Sequence, residues 1–295
     1  MISNRLASLC GIVLFMSVSA CTESARYDYA WTSSAAPGQA VLIDNLAGPV
    51  RVRKGAVNTK VSGEVRVYAS GFKEKSDAQT AARAVVVSEE RRDGALVLAV
   101  QVPDIYRNRG FSVSLDLVVP AQAAVSVFSD NGNVRVEGLA VGEIDTTSGA
   151  VELAFTQSPS SSEATKVRTS DGTVTSDSHD GDIDVVSVNA PISLFSVAGS
   201  VRATTTLGAI AVRAIPPRGG EVLLATTNAP IDLGIPRDFG ARVVAVTSEP
   251  GIVEIAGDLR FTPTGSFPNQ AQGVLGDGAG RVDLRTMAND IIIHR

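Results

Sequence analysis

The 295-residue chain is poor in the residues that build small reactive sites. It has two Cys, both within the first 21 residues, which excludes a disulfide scaffold and any Cys-rich metal site. Its two His, His179 and His294, stand 115 positions apart, so a multi-His metal centre cannot form within one chain. Aromatics are few: nine Phe, four Tyr and one Trp. There is no excess of positive charge. With 26 Lys and Arg against 31 Asp and Glu, the formal charge is −5, the reverse of a nucleic-acid-binding footprint. No stretch reaches the 18 or more apolar residues of a spanning helix. What remains is ordinary for a globular chain, 44% hydrophobic and 19% charged. The length allows one or two domains.

Residues 1–20 read as a targeting segment. Arg5 gives a short positive region, and Leu6 to Val18 is apolar but too short to span a membrane. The segment ends in Val18-Ser19-Ala20-Cys21, which resembles the bacterial lipobox. That resemblance implies cleavage before Cys21 and lipid on its thiol and new amine, an anchor of several acyl chains. Thr22 stands where an Asp would imply retention at the inner membrane, so the expected location is the cell envelope, lipid-anchored at the outer membrane. Removing Arg5 with the leader takes the formal charge from −5 to −6. Residues 21–38 read as the lipidated Cys and a tether.

The rest of the chain is dominated by a repeat: a Ser, Thr or Asn, two residues, a small turn residue, then apolar residues two and four places on. The turn residues are Gly48, Gly132, Gly149, Gly172, Ala190, Gly208, Ala229, Gly251 and Asn289. Three places earlier stand Asn45, Ser129, Thr146, Thr169, Ser187, Thr205, Thr226, Ser248 and Thr286. The later positions are pairs such as Val134/Val136, Ile192/Leu194, Ile210/Val212 and Ile291/Ile293, with Ser176 the one polar exception. Alternation of this kind marks a tight turn followed by a half-buried strand. From Gly132 to Gly251 the spacings are 17, 23, 18, 18, 21 and 22, and Gly172, Gly181, Ala190, Gly199 and Gly208 recur every nine residues. Two short strands per unit of about 18–22 residues predict an all-β fold, a β-solenoid or β-roll of stacked strands, over residues 125–295.

Residues 39–124 predict an antiparallel β cap with one short helix. The strands are expected at Lys60–Ser70, Val85–Arg91, Ala95–Val102 and Ser112–Val119, and Ser76-Asp77-Ala78-Gln79 reads as a capping-box start to a helix ending at Ala84. Arg260–Gly280, rich in Gly, Pro, Asn and Gln, reads as an irregular insertion.

The cap, Val118-Val119-Pro120, the repeated Thr/Ser-x-x-Gly-x-apolar-x-apolar units and the closing Thr286-Met287-Ala288-Asn289-Asp290-Ile291-Ile292-Ile293 together resemble the bacterial "putative adhesin" family of envelope β-repeat proteins. The resemblance covers about residues 40–295. It implies the fold and an extracytoplasmic setting, and it brings no catalytic residues.

The residues themselves assign no catalytic, cofactor or metal site. Asp180, Asp182 and Asp184 offer oxygen ligands of the kind Ca²⁺ takes, but the EF-hand Gly and Glu are absent. Gly276-Asp277-Gly278-Ala279-Gly280 is a single Gly-Asp loop. No Gly-x-Ser-x-Gly elbow is present, and His294 is expected to be exposed. The expectation is a non-enzymatic lipoprotein that meets the membrane through Cys21, and a protein or glycan partner on its long face. The apolar strand Ile291–Ile293 is a second candidate surface, by strand addition. The rival readings are a polysaccharide lyase or hydrolase and a regulatory partner in an envelope stress response.

Overall fold

Alternation of apolar and polar residues carries through into a nearly all-β chain, with one α-helix among the described residues. The computed structural model describes residues 22–33, 39–57 and 59–295. The strands begin with β1 (Glu23–Thr32), β2 (Val41–Ala47), β3 (Val50–Lys54) and β4 (Ser62–Phe72), followed by α1 (Lys75–Ala84). Then come β5 (Val86–Arg92), β6 (Ala95–Gln101), a 3₁₀ turn at Asp104–Tyr106, and β7 (Gly110–Val119). The repeat region runs through β8 (Ala124–Asn131), β9 (Val134–Glu137), β10 (Ala140–Ser148), β11 (Val151–Ala154), β12 (Thr156–Gln157), β13 (Thr165–Thr169), β14 (Val174–Ser176), β15 (His179–Asp180), β16 (Ile183–Ser187) and β17 (Ile192–Ala198). It continues through β18 (Val201–Thr204), β19 (Ile210–Ala214), β20 (Glu221–Ala225), β21 (Ile231–Gly234), β22 (Ala241–Val246) and β23 (Val253–Ile255). The chain ends with β24 (Phe261–Phe267), β25 (Gln270–Leu275), β26 (Gly280–Arg285) and β27 (Ile291–His294).

Two ladders run the length of the molecule. In one, β6, β2, β8, β10, β13, β16, β18, β20, β26 and β22 pair in parallel, in that order. In the other, β7, β3, β9, β11, β14, β17, β19, β21, β27 and β23 do the same. Antiparallel strands close the ends: β5 on β6, and β4 on β7 with β1 beyond it, at one end; β25 and then β24 beyond β22 at the other. The apolar pairs of the repeat point between the ladders. Val134, Val151, Ile192, Leu194, Ile210, Ile231 and Ile291 are at most 1% exposed, facing equally buried residues such as Val127, Ile144, Val185, Val201 and Val282. Each such side chain contributes about 1.5–3 kcal/mol by leaving water. One buried core crosses the junction between residues 124 and 125 without a break.

At the cap end β6 and β7 lie out of chain order, outside β2 and β3. Within the repeat region, from β8 and β9 onward, the stacking order departs from chain order at one place. β26 and β27 insert between β20/β21 and β22/β23. The strand Ile291–Ile293 is therefore an inner strand with partners on both sides. This corrects the expectation of a free edge there.

Three other expectations change. The tether is not structureless: Glu23–Thr32 is a strand antiparallel to β4, with a register shift after Glu23, and its Tyr27, Tyr29 and Trp31, at alternate positions, pack half-buried on the core. The Arg260–Gly280 insertion holds a β-hairpin. An edge hairpin tolerates its Pro, which sits where the register shifts between Pro263 and Gly265. The capping box does not form: α1 starts after Glu74 with no side-chain cap, and Thr80 instead donates to the Ser76 carbonyl.

Candidate functional site

The hydroxyl column of the repeat is internal. Asn45, Ser129, Thr146, Thr169, Ser187, Thr205, Thr226 and Thr286 are all at most 6% exposed. Most of their hydroxyls close a turn or tie it to the next; Asn45 does so through Nδ2, which donates to the Gly48 and Val113 carbonyls, while Ser129 Oγ has no hydrogen-bond partner. Thr205 Oγ1 accepts from Gly208 N (3.2 Å) and donates to the Ala190 carbonyl one unit away (3.2 Å). Thr169 and Ser187 accept from Gly172 N and Ala190 N, and Thr226 donates to the Gly208 carbonyl. The column thus satisfies turn backbone that would otherwise be buried without partners. At the last turn the member is Thr247, which donates to the Asn289 carbonyl (2.7 Å), while Ser248 is exposed. The turn there is one residue longer than the motif. Ser176 is buried at 1% between Leu153 and Leu194, and its hydroxyl has no hydrogen-bond partner.

The acidic cluster is drawn apart. Among the described residues no group of three or more His, Cys, Asp or Glu side chains comes together in a way that could hold a metal ion. Asp182 Oδ1 accepts from Ser200 N (2.7 Å), and Asp180 is exposed. Asp184 lies in register between Lys166 and Arg202, continuing a column of alternating charge that starts at Glu143. Asp277, in the Gly-Asp loop, pairs with Arg218 (3.2 Å) and accepts from Ala279 N.

Neither His faces solvent freely. His294 corrects the expectation of exposure: its Nε2 lies 2.7 Å from Asp232 Oδ1, and Arg213 holds the same carboxylate. His179 is 1% exposed. Its Nδ1 is 2.9 Å from Thr156 Oγ1 and its Nε2 3.4 Å from Ser158 Oγ, which donates to the Asp182 carbonyl. Burial pushes the His179 pKa below its ordinary value of 6.5, outweighing the opposing pull of the Asp182 backbone and the Asp180 and Asp182 charges. The unfolded chain binds that proton at higher pH than the folded one. Stability from this residue is therefore full above pH 6.5 and falls as the pH drops below it, by at most about 1.4 kcal/mol per pH unit. Denaturant melts between pH 7.5 and 5 are expected to show this slope in the wild type. In His179→Asn the slope attributable to this proton should be gone.

The strongest concentration of unabsorbed charge lies where β18, β20, β26 and β22 stand side by side. Arg202, Arg242, Arg281 and Arg285 are all exposed on the outer face of that ladder. At the centre is Asp283, whose side chain is 12% exposed. Arg285 grips it through Nε (2.7 Å) and Nη2 (3.2 Å), and Arg281 reaches it at 2.9 Å. The bonds from Arg285 hold the Asp283 carboxyl below the usual carboxylate range against the opposing effect of burial, and Arg281 adds to this. Glu221 faces Arg281 in register. A cleft of about 350 Å³ opens between Arg202, Arg281, Asp283, Arg285 and the apolar Leu223. Two carboxylates against four guanidiniums leave the shelf positive on an acidic protein. Guanidinium pairs carboxylates and phosphates in a bidentate fork. The shelf escapes sequence reading because it depends on the inserted β26. The available signal is the alternation Arg281-x-Asp283-x-Arg285 on one strand face.

Cys21, the expected lipidation site, lies outside the described residues. No helix among the described residues is long and apolar enough to cross a membrane. No protein-family model and no curated protein matches the chain. Among solved structures it is similar to a "putative cell adhesion protein" from Clostridium sporogenes, at 9% identity and TM-score 0.33, over 92% of this chain and 99% of that one. A "putative adhesin" from Bacteroides fragilis is similar at 11% identity and TM-score 0.33, over 92% and 97%. Another from Parabacteroides merdae is similar at 8% and 0.36, over 92% and 96%. The latter two structures carry the name of the family that the repeat motif resembles.

Proposed function

We infer that this chain is a non-enzymatic protein of the cell envelope, a β-solenoid tethered through lipid on Cys21, and that it works by binding. Adhesion is the form of binding proposed, with an acidic glycan as the partner. The carrying observation is the arginine shelf, Arg202 on β18, Arg281 and Arg285 on β26 and Arg242 on β22, three of four neighbouring strands of a continuous ladder. Such spacing suits a polymer that repeats its carboxylates. The shelf offers no cluster of large apolar side chains of the kind that anchors most protein partners. Parallel ladders with inward Val, Ile and Leu and hydroxyl-tied turns give the rigidity that keeps the guanidiniums in place before binding.

The test is retention on immobilised acidic and neutral polysaccharides. Acidic polymers are expected to hold the protein in a salt-sensitive way. Arg202→Glu with Arg242→Glu should weaken that binding about tenfold or more. Equal retention on neutral polymers, or binding indifferent to the double substitution, would remove the reading. Release of shortened sugars would move the assignment to a polysaccharide-cleaving enzyme.

A further inference from the structure

A second surface lies at the other end of the molecule, where the described chain begins. Glu23, the first residue of β1, is paired with Phe72, the last of β4. Phe72 packs edge-on against Tyr106 (6.0 Å) and Phe111 (6.4 Å), and the Arg109 guanidinium lies over its ring at 5.3 Å. Arg109 Nη1 also donates to the Gly71 carbonyl (2.6 Å), tying the 3₁₀ turn to the end of β4. From this corner an open groove of about 870 Å³ runs past Arg107, Arg109, Phe111, Val102, Val86 and Leu46. Its surroundings are unusually apolar for a surface. Ile105 is 81% exposed, Val86 49% and Leu46 47%.

The charges around it are mixed with a positive balance. Lys73, Lys75, Arg107 and Arg109 are exposed here, with Glu23, Glu74 and Asp104, the last paired to Arg107 at 2.8 Å. The remainder of the protein is acidic. Cys21 is two residues before Glu23, so lipid on it lies within about 7 Å of chain from this corner.

We propose that this end of the cap, the Asp104–Arg109 turn with Ile105 at its tip and the groove behind it, is a membrane-docking face that rests on an anionic lipid surface beside the anchor. Ile105 and Tyr106 enter the interface, while Lys73, Lys75, Arg107 and Arg109 meet the headgroups. Basic residues beside an apolar insertion add to an acyl anchor in this way. The long axis of the ladders then stands away from the bilayer, with the arginine shelf at the distal end. The proposal rests on the anchored reading.

The experiment uses the full chain recovered from membranes, with mass spectrometry of Cys21 read first. A thiol-reactive, polarity-sensitive fluorophore is placed through Ile105→Cys, and in a separate protein through Phe267→Cys at the far end. An acylated Cys21 leaves the introduced residue as the one free thiol. In vesicles of phosphatidylcholine with phosphatidylglycerol, the 105 label should move to shorter wavelength. Lipid-borne nitroxide should quench it about threefold or more over the 267 label. Lys73→Glu with Arg107→Glu, or removal of the anionic lipid, should reverse most of that difference. An acylated, vesicle-bound protein whose 105 label stays in water overturns the docking face and leaves the anchor standing. An unacylated Cys21 defeats the anchor. The 105 label, placed in protein that also carries Cys10→Ser and Cys21→Ser and titrated with vesicles from solution, then decides the face alone: a blue shift upholds it, and no shift overturns it.

Discussion

Replacing Gly149 by alanine is expected to cost about 3–5 kcal/mol, placing it among the most damaging single substitutions in the chain. Two physical causes act together. Gly149 has φ +133°, backbone that an L side chain rarely adopts. A Cβ there would also run into the Gly132 carbonyl of the preceding unit. The same approach recurs along the column: a Cβ on Gly132 meets the Gly48 carbonyl, and one on Gly172 meets that of Gly149. At Gly132, Gly149 and Gly172 the neighbouring turn leaves no room for a methyl group, although the turns at Ala190 and Ala229 carry one. Gly172 does not share the positive φ, so Gly172→Ala isolates the steric cause and should cost somewhat less. Gly257 has open space and no positive φ, so Gly257→Ala should stay within about 0.5 kcal/mol of wild type. Thermal melts should place Gly149→Ala roughly 10 °C below wild type. If Gly149→Ala and Gly172→Ala melt with the wild type, the turns do not stack as described.

That column shows why the sequence could be read so far. A Ser or Thr three residues before a Gly, with apolar residues two and four places after it, is a complete local specification. The hydroxyl closes the turn, the missing Cβ admits the neighbouring turn, and alternation aims the strand. Thr205, Gly208, and Ile210 with Val212 carry out these three tasks in one unit. What could not be read was which unit lies beside which. Every unit presents the same face to its neighbours, so Val222 and Leu224 are as well matched to Val282 and Leu284 as to Val243 and Ala245. The pattern therefore holds no signal for β26 and β27 entering out of order, and the arginine shelf was hidden with it. The hairpin at Phe261–Leu275 was hidden for a different reason. The edge strand β24 accepts Pro263 and Gly265, and in the inner strand β25 Gly273 lies where a Cβ would meet the Thr262 carbonyl and the Phe261 ring; composition counts all three as loop. Thr247 was missed because its turn is one residue longer than the rest.

Removal of residues 286–295 is expected to unfold the distal end of the molecule. β27 is the strand between β21 and β23, and neither of these pairs directly with the other. The truncation takes away Ile291 and Ile293, both fully buried, and Thr286, whose hydroxyl donates to the Ala229 carbonyl. It leaves Ile231 and Leu233 facing water along an unpaired edge. It also strands β23, whose Val253 and Ile255 are half-buried even in the intact chain. An exposed apolar edge of this kind recruits other chains, so the truncated protein should self-associate more than the intact one. Had the terminal strand been a free edge used for strand addition, the same deletion would reduce association, so the sign of the change separates the two placements. Point substitutions refine it: Ile291→Ala and Ile293→Ala should each cost about 2–5 kcal/mol through lost burial and the cavity left behind. Ile292→Ala, on the outer face at 40% exposure, should cost far less. Limited proteolysis of the truncated chain should cut first between residues 235 and 280, whose strands β22 and β23 have lost β27 or lean on a β26 no longer continued by it. The ladder from β8 to β19 should stay protected, because each of those units keeps neighbours on both sides. Uniform protection across residues 235–280 after truncation, with an unchanged melt, would place the terminal strand at the surface after all.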